Sequence, residues 1–176
     1  MKVRISDDAV AIACGADAVA AAFAVAGASV ERVSSWGMHW LEPLVDIDGI
    51  GFGLVTPDQV SSILAGDAPS IGRIEELPFI AKQTRLTFAR AGKTRPTSID
   101  DYYASGGWLG LAKARELGPE ATIEVVLASG LRGRGGAGFP CGLKWKTVAS
   151  AVAEQKYIVC NADEGDSGTF ADRMVM

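Results

Sequence analysis

The first third of the chain places short apolar runs between polar turns, a pattern that predicts a small α/β unit. Apolar and polar residues alternate in residues 2–5, which predicts a short strand, and residues 30–36, VERVSSW, suggest a second strand. Between them, Val19 and Phe23 recur at helical spacing in residues 15–26. The unit is therefore expected to begin in the order strand, helix, strand.

Two more strands and a helix are predicted to follow. The dipeptide Asp48-Gly49 divides the apolar residues 42–55 into two strands, since it is typical of hairpin turns. A helix begins after Thr56, an N-cap residue followed by proline. The predicted order β-α-β-β-β-α is that of a thioredoxin-like domain, and Pro43 lies where that fold has a cis proline.

The rest of the chain has a different pattern. Residues 67–96 show little periodicity and are interpreted as a connector. Helical spacing and capping residues predict four helices, at residues 97–104, 107–117, 119–129 and 143–155. A short apolar run then predicts a strand at residues 156–160. The predicted domains are a thioredoxin-like domain at 1–66, the connector at 67–96 and a second domain at 97–176.

The composition argues against some classes of partner and favours one cellular setting. With 17 basic and 21 acidic residues, the formal net charge is −4, which argues against a nucleic-acid partner. The three cysteines form no C-x-x-C pair and no disulfide framework, which favours a reducing, cytoplasmic setting. The hydrophobic content of 48% is ample for a packed core.

The alanine-rich residues 9–28 could also be interpreted as a leader peptide. Asp7 and Asp8 precede this stretch, where a leader would be positively charged, and Asp17 interrupts it. Its longest part without a charged residue, 18–30, is too short to span a bilayer. A helix of a folded domain, with no membrane span, is the favoured interpretation.

Residues 130–145, GLRGRGGAGFPCGLKW, contain six glycines and three basic side chains. Gly133, Gly135 and Gly138 satisfy G-x-G-x-x-G, but a helix rather than a strand is predicted before them, so the Rossmann fingerprint does not apply. Adjacent glycines allow backbone N–H groups to converge on an anion, next to the N-terminus of the following helix. A flexible linker or a glycine-rich turn is the alternative.

A second polar segment, NADEGDSGTFADR at residues 161–173, follows the predicted strand 156–160. Its amide and carboxylates would lie at the carboxyl end of that strand, where open α/β sheets bind ligands. Such a mixture of donors and acceptors suits a flavin edge and a ribose better than a bare phosphate. A solvated acidic loop and a divalent-metal loop are the alternatives, although the spacing of a calcium loop is absent.

Together, SGLRGRGGAGFPCGLKW and YIVCNADEGDSGTFADR resemble the FMN- and NADH-binding flavoprotein subunit of respiratory complex I. Its relatives include NAD-dependent formate dehydrogenases and NAD-reducing hydrogenases. The resemblance covers roughly residues 75–176. It implies an α/β fold class in which a degenerate thioredoxin-like domain is followed by the N-terminal part of a Rossmann-like, complex-I-type FMN-binding domain.

The resemblance also implies site residues. The FMN residues would be Gly133, Arg134, Gly135, Lys144, Asn161, Asp163, Glu164 and Gly165. The NAD residues would be Gly136, Phe139 and Asp166, with Phe139 stacked on adenine and Asp166 reaching the nicotinamide end. No side chain is implied as a catalytic acid or base, since the flavin carries the chemistry. The chain departs from the usual family pattern at Cys141, Thr147, Asp166 and Ser167.

The first third resembles the thioredoxin-like ferredoxin domain of the same family, in which four cysteines hold a [2Fe–2S] cluster. Here Ser35 and His39 stand at one ligand pair, and Cys14 alone could serve the other, so we expect residues 1–66 to hold no metal. A thioredoxin-like domain without these ligands, fused to this flavoprotein, resembles the β subunit of soluble NAD-dependent formate dehydrogenase.

That resemblance implies partners and a place in a larger assembly. The partners would be a ferredoxin-like iron–sulfur subunit and an α subunit that contains molybdenum or tungsten. The chain would be an N-terminal fragment, with a [4Fe–4S] site expected only in a downstream part. Alternatives are the diaphorase subunit of a NAD-reducing hydrogenase or of NADH-quinone oxidoreductase, and a fragment that only docks other subunits.

Overall fold

The computed structural model describes residues 1–165 and residue 168. The fold is mixed α/β with a five-stranded sheet, which confirms the predicted fold class. The chain divides into two compact units, Met1–Gly110 and Leu111–Met176. The domain limits at residues 66 and 96 remain predictions.

The first unit contains the sheet and five helices. Its elements are β1 (Lys2–Ser6), α1 (Ala9–Ala13), α2 (Ala16–Val25), β2 (Ser29–Val33), β3 (Val45–Ile47), β4 (Ile50–Phe52), α3 (Val60–Ala65), β5 (Gly72–Arg73), α4 (Pro78–Ala81) and α5 (Ile99–Ala104). The sheet order is β2-β1-β3-β4-β5, with β1 and β2 parallel and the other pairs antiparallel. The four strands predicted before residue 56 are all present, and the Glu42–Pro43 peptide bond is cis.

The differences from the predicted elements have local causes. Gly15 has a φ of 100°, so it separates α1 from α2, and the side chain of Asp8 caps α1 by accepting from the Ala11 N–H at 2.9 Å. Strand β5 lies inside the predicted connector, where Ile50 pairs with Arg73. A strand of two residues has no hydrophobic alternation to reveal it.

The core of the first unit consists of two apolar clusters. The larger joins the sheet to α2 and α3, and its fully buried members include Phe23, Ile5 and Val45. The smaller is made of Val33, Trp36, Met38, Leu44, Ile74 and Ile80. Leu44 and Val45 are adjacent in the chain and belong to different clusters, as expected where successive side chains of an extended segment point in opposite directions.

Residues 92–95, which we call the edge segment, cover the carboxyl ends of β1 and β2. The backbone N–H of Ser34 donates to the carbonyl of Thr94 at 2.9 Å. The guanidinium of Arg95 pairs with the carboxylate of Asp7 at 2.6 Å. Residues far along the chain therefore complete the edge at which the two parallel strands end.

A carboxyl group is buried beside the cis peptide bond. Glu42 is only 3% exposed; its carboxylate accepts from the Leu44 N–H at 2.8 Å and from the Ser35 hydroxyl at 3.2 Å. Burial raises the pKa of Glu42, and the negative charge of Asp8 adds to the rise. The two hydrogen bonds and the nearby His39 lower the pKa by less, so the net shift is upward.

We expect Glu42→Gln to stabilise the first unit increasingly as the pH rises from about 4 to 7. A carboxyl group whose folded-state pKa is raised stabilises the fold below its unfolded pKa, and this contribution is lost as the pH rises through the folded pKa. Glutamine is always neutral and retains the acceptor for the Leu44 N–H. Urea unfolding of both proteins across this pH range measures the difference.

Glu31→Gln is the matched control because its slope has the opposite sign. Partial burial raises the pKa of Glu31, but hydrogen bonds from Lys2 and Arg4 outweigh burial and lower it overall. That carboxylate therefore stabilises the fold above its unfolded pKa, and Glu31→Gln loses stability relative to the native chain as the pH rises. Equal slopes for the two variants would contradict the assignment of Glu42.

The second unit contains an antiparallel helix pair. Helix α6 (Leu109–Leu117) crosses the boundary between the units, and α7 (Pro119–Ala128) and α8 (Cys141–Ser150) follow. Lys146 of α8 pairs with Glu124 of α7 at 3.0 Å. Helix α8 begins two residues before its predicted start and ends five residues before its predicted end.

The strand predicted at residues 156–160 is wrong. These residues form no regular structure, and Ile158 and Val159 are 99% and 82% exposed. A strand needs a neighbour for its N–H and carbonyl groups, and the described residues offer none here. None of the described helices is both long enough and apolar enough to cross a membrane.

Candidate functional site

Residues 131–141, which we call the glycine hairpin, fold back on themselves between α7 and α8. Three backbone hydrogen bonds close the hairpin, from Cys141 N to Leu131 O (2.9 Å), Gly133 N to Phe139 O (2.8 Å) and Gly138 N to Gly135 O (3.1 Å). A flexible linker would not have this ladder of contacts. The segment is therefore a turn with a defined shape, anchored by a helix at each end.

The glycines of the hairpin are not all required by the fold. Gly138 has a φ of 53°, a left-handed conformation that other residues rarely adopt. Gly135 and Gly136 are outside that region, and a Cβ at either would meet no atom within 4 Å. Neither packing nor backbone conformation explains these two glycines, whereas the close approach of a ligand would.

The hairpin offers donors and positive charge next to the N-terminus of α8. Within the described residues, the backbone N–H groups of Arg134 and Gly135 have no hydrogen-bond partner. One guanidinium nitrogen of Arg134 donates to the carbonyl of Arg132 at 2.9 Å, and the others are open. Lys144 lies in the first turn of α8 and has no ion pair among the described residues. This donor set fits an anionic group such as a phosphate.

Phe139 is suited to stacking, since its side chain is 49% exposed and the described residues give its ring no aromatic neighbour. Its carbonyl accepts from Gly133, which fixes the backbone from which the ring projects. Gly136 lies nearby at the tip of the same hairpin. An exposed planar ring on a fixed backbone can take a heteroaromatic ligand on its face.

Residues 161–173, which we call the acidic segment, form a separate stretch, of which the structure describes residues 161–165 and 168. The backbone N–H of Asp163 donates to the side-chain oxygen of Asn161 at 3.4 Å, and Glu164 has a φ of 52°. The segment does not follow a strand, so its predicted place at the carboxyl end of one is wrong. Asp166 and Ser167 lie outside the described residues.

The structure groups the predicted site residues into two sets. Five of them share the glycine hairpin (Gly133, Arg134, Gly135, Gly136 and Phe139), with Lys144 in the first turn of the adjoining helix. The other described ones are Asn161, Asp163, Glu164 and Gly165 in the acidic segment.

Sequence reasoning missed an apolar groove of about 890 Å³ in the second unit. Helices α6, α7 and α8 line it together with residues 157–159, and Trp145 and Val148 contribute to its wall. Their spacing in the sequence indicates a helix but not a groove, and both side chains are about half exposed. Lys144 is the predicted site residue that also lines this groove.

The three cysteines are free thiols, with Cys14 and Cys160 exposed and Cys141 half-buried. Within the described residues, no group of three His, Cys, Asp or Glu side chains could hold a metal ion. The hydroxyl of Ser35 donates to Glu42 and accepts from the Gly37 N–H at 3.0 Å, so this side chain has structural partners of its own.

Comparison with known proteins concerns the second unit above all. Residues 126–176 match the family model described as the Nuo51 FMN-binding domain. The NADP-reducing hydrogenase subunit HndC of Solidesulfovibrio fructosivorans is 52% identical over 95 residues, which cover 54% of this chain and 19% of that protein. An Aquifex aeolicus subunit of NADH-quinone oxidoreductase is 46% identical over 102 residues, covering 57% of this chain and 24% of that protein.

A third relative is the NAD-reducing hydrogenase HoxS subunit alpha of Cupriavidus necator, 58% identical over 60 residues, covering 34% of this chain and 10% of that protein. The chain thus spans about a quarter or less of the length of these relatives. A crystal structure of NAD⁺-reducing [NiFe]-hydrogenase aligns with 99% of the chain and 32% of its own chain at 23% identity, with a TM-score of only 0.34. The sequence matches support the Nuo51 FMN-binding family for the part of the chain from residue 126 onward.

Proposed function

We propose that this chain is part of an FMN-dependent NAD(H) oxidoreductase subunit, a diaphorase, and that the glycine hairpin forms part of its FMN site. The observation that carries the proposal is the pair Gly135 and Gly136, glycines that the fold itself does not require. They lie beside open N–H groups and the cations Arg134 and Lys144. The match of residues 126–176 to an FMN-binding family supports the same ligand.

The hairpin and the acidic segment would contact different parts of FMN. Gly133, Arg134, Gly135 and Lys144 would bind its anionic end, where open N–H groups and positive side chains suit a phosphate. The acidic segment would supply the remaining contacts, from Asn161, Asp163, Glu164 and Gly165. When bound, FMN would exchange a hydride with a nicotinamide and single electrons with iron–sulfur centres, so the protein needs only to position and tune it.

The nicotinamide cofactor would bind over the same hairpin. Gly136 permits close approach, Phe139 stacks on the adenine, and Asp166 contacts the nicotinamide end. The adenine would then lie on Phe139 and the nicotinamide end beside Asp166, so different residues would hold the two ends of the cofactor. NAD and FMN would then share one loop without sharing side chains.

Phe139→Ala is expected to weaken NADH binding by about fivefold, because stacking on an aromatic ring contributes on the order of 1 kcal/mol. FMN binding should change by less than about twofold. Titration of the FMN-loaded subunit with NADH, and of the apoprotein with FMN, measures both. Phe79→Ala is the control, since that ring is similarly exposed at 43% but lies in the first unit. Equal losses of both ligands would make Phe139 a support of the hairpin instead.

We further propose that the subunit works in a cytoplasmic NAD-dependent formate dehydrogenase. Its partners would be a ferredoxin-like iron–sulfur subunit and a molybdenum- or tungsten-containing α subunit, with a [4Fe–4S] cluster in a further part of the flavoprotein. The thioredoxin-like first unit supports this choice because Ser35 and His39 stand where cluster ligands would be. The names of two relatives, a NADP-reducing and a NAD-reducing hydrogenase subunit, favour a second candidate, the diaphorase of such a hydrogenase. The name of a third, a subunit of NADH-quinone oxidoreductase, favours a complex-I-type diaphorase.

Purification of the native complex through an affinity tag on this subunit separates the candidates. Reduction of NAD with formate, and not with hydrogen, is expected. Reduction with hydrogen alone would establish the hydrogenase, and NADH oxidation coupled only to quinone would establish a complex-I-type enzyme. FMN titration of the 176-residue chain, followed by flavin fluorescence, tests the site itself. A chain that neither binds FMN nor contributes to a flavin site in the complex would be a docking segment.

A further inference from the structure

Helices α7 and α8 touch backbone to backbone at one point. A Cβ on Gly142, the second residue of α8, would lie 2.6 Å from the nitrogen and 2.7 Å from the Cα of Leu127. Gly142 is outside the left-handed region, so its backbone conformation would accept an alanine. Only the space taken by Leu127 excludes a side chain there.

This contact lies at the base of the glycine hairpin. Leu127 is in the last turn of α7, and Gly142 follows directly after Cys141, whose N–H donates to Leu131 O at 2.9 Å. The next link between the helices is the ion pair of Lys146 with Glu124, one turn further from the hairpin. The point of closest approach therefore sets the separation of the two ends of the hairpin.

We infer that Gly142 is a positioning residue for the anion-binding hairpin: by letting α8 touch the backbone of Leu127, it sets where the N–H groups and Arg134 point. The inference rests on the proposed function for the identity of the ligand. The two nearest obstructing atoms belong to the backbone of Leu127, so a change of rotamer cannot relieve them. An added methyl group would have to push the helix ends apart, and the hydrogen bond from Cys141 to Leu131 would lengthen first.

The resulting displacement of the hairpin matters because binding groups must be held to within about 0.5 Å of their productive geometry. We expect Gly142→Ala to weaken FMN binding by about tenfold or more. In the FMN-free chain, the amides of Gly133 and Cys141 should exchange with deuterium about tenfold faster. Amides in the middle of α7 should keep their protection, and the far-ultraviolet circular dichroism should be unchanged.

Gly110→Ala is the matched control, since Gly110 also lies in a helix, outside the left-handed region, and its Cβ would meet no atom within 4 Å. It should change FMN affinity and hairpin exchange by less than about twofold. A second variant, Gly142→Ala with Leu127→Ala, should remain defective. It removes the side-chain contact at 2.8 Å but leaves both backbone atoms in place.

The outcomes separate the inference from the proposed function. Unchanged exchange of Gly133 and Cys141 in Gly142→Ala, or rescue by the double variant, would overturn the positioning role. Loss of protection throughout α7 would also overturn it and make Gly142 a general packing residue. Faster hairpin exchange in a chain whose native form binds no FMN would support the positioning role while refuting the proposed ligand.

Discussion

Arg134→Glu is expected to lower the affinity for FMN by at least about tenfold, while the affinity for riboflavin changes by less than about twofold. Riboflavin has the same ring and lacks the phosphate, so it reports on the ring contacts alone. Arg134 projects from a closed hairpin, and most of its guanidinium is open to a ligand. The substitution replaces attraction to the phosphate by repulsion and leaves the backbone hydrogen bonds of the hairpin in place.

Parallel titrations of the chain with FMN and riboflavin measure the two affinities at one ionic strength. Lys113→Glu is the charge-matched control; Lys113 is an exposed lysine on α6 whose partner at 3.0 Å is Glu116. It changes the net charge equally and should leave the FMN affinity within about twofold of the native value. Equal losses for both flavins in Arg134→Glu would place the phosphate away from the hairpin.

Phe23→Ala should destabilise the first unit by about 3 to 5 kcal/mol, the largest effect that we expect from a single truncation. Phe23 is completely buried and packs in the larger apolar cluster, between the sheet and α3. The substitution loses the burial of the ring and leaves a cavity in the larger apolar cluster. Urea unfolding followed by circular dichroism measures the change in the free energy of unfolding.

Phe88→Ala provides the comparison, because the same side chain is 72% exposed there. It should change the free energy of unfolding by no more than about 0.5 kcal/mol. A loss at Phe88 as large as that at Phe23 would show that the division of the first unit into core and surface is incorrect.

Elements whose ends are marked by a capping residue or a proline could be predicted from the sequence. Helix α5 begins after Ser98, whose hydroxyl accepts from the Asp101 N–H, and α7 begins at Pro119. Elements that depend on a distant partner could not be predicted in this way. Strand β5 exists because it pairs with β4, and the apolar run 156–160 is not a strand because no described neighbour pairs with it.

In the candidate site, too, local features could be predicted from the sequence and contacts between distant residues could not. The two motifs were recognisable because glycine, cations and carboxylates are concentrated at fixed spacings in the chain. The hydrogen bonds that close the glycine hairpin, and the contact of Gly142 with Leu127, depend on the separation of two helices, which no local pattern encodes. The sequence therefore indicated the candidate ligand-binding residues, and the structure was needed to see which contacts hold those residues in place.

The edge segment has a consequence for how the protein is made. Asp7 leaves the ribosome long before Arg95, so the carboxyl end of β1 stays unprotected through 88 further residues of synthesis. The carboxyl end of β2 likewise waits for Thr94. The helix pair α7–α8 is local in sequence and can form as soon as its residues emerge. A translational pause before the edge segment has left the ribosome would therefore prolong the exposure of these strand ends, whereas a pause after it has emerged would not.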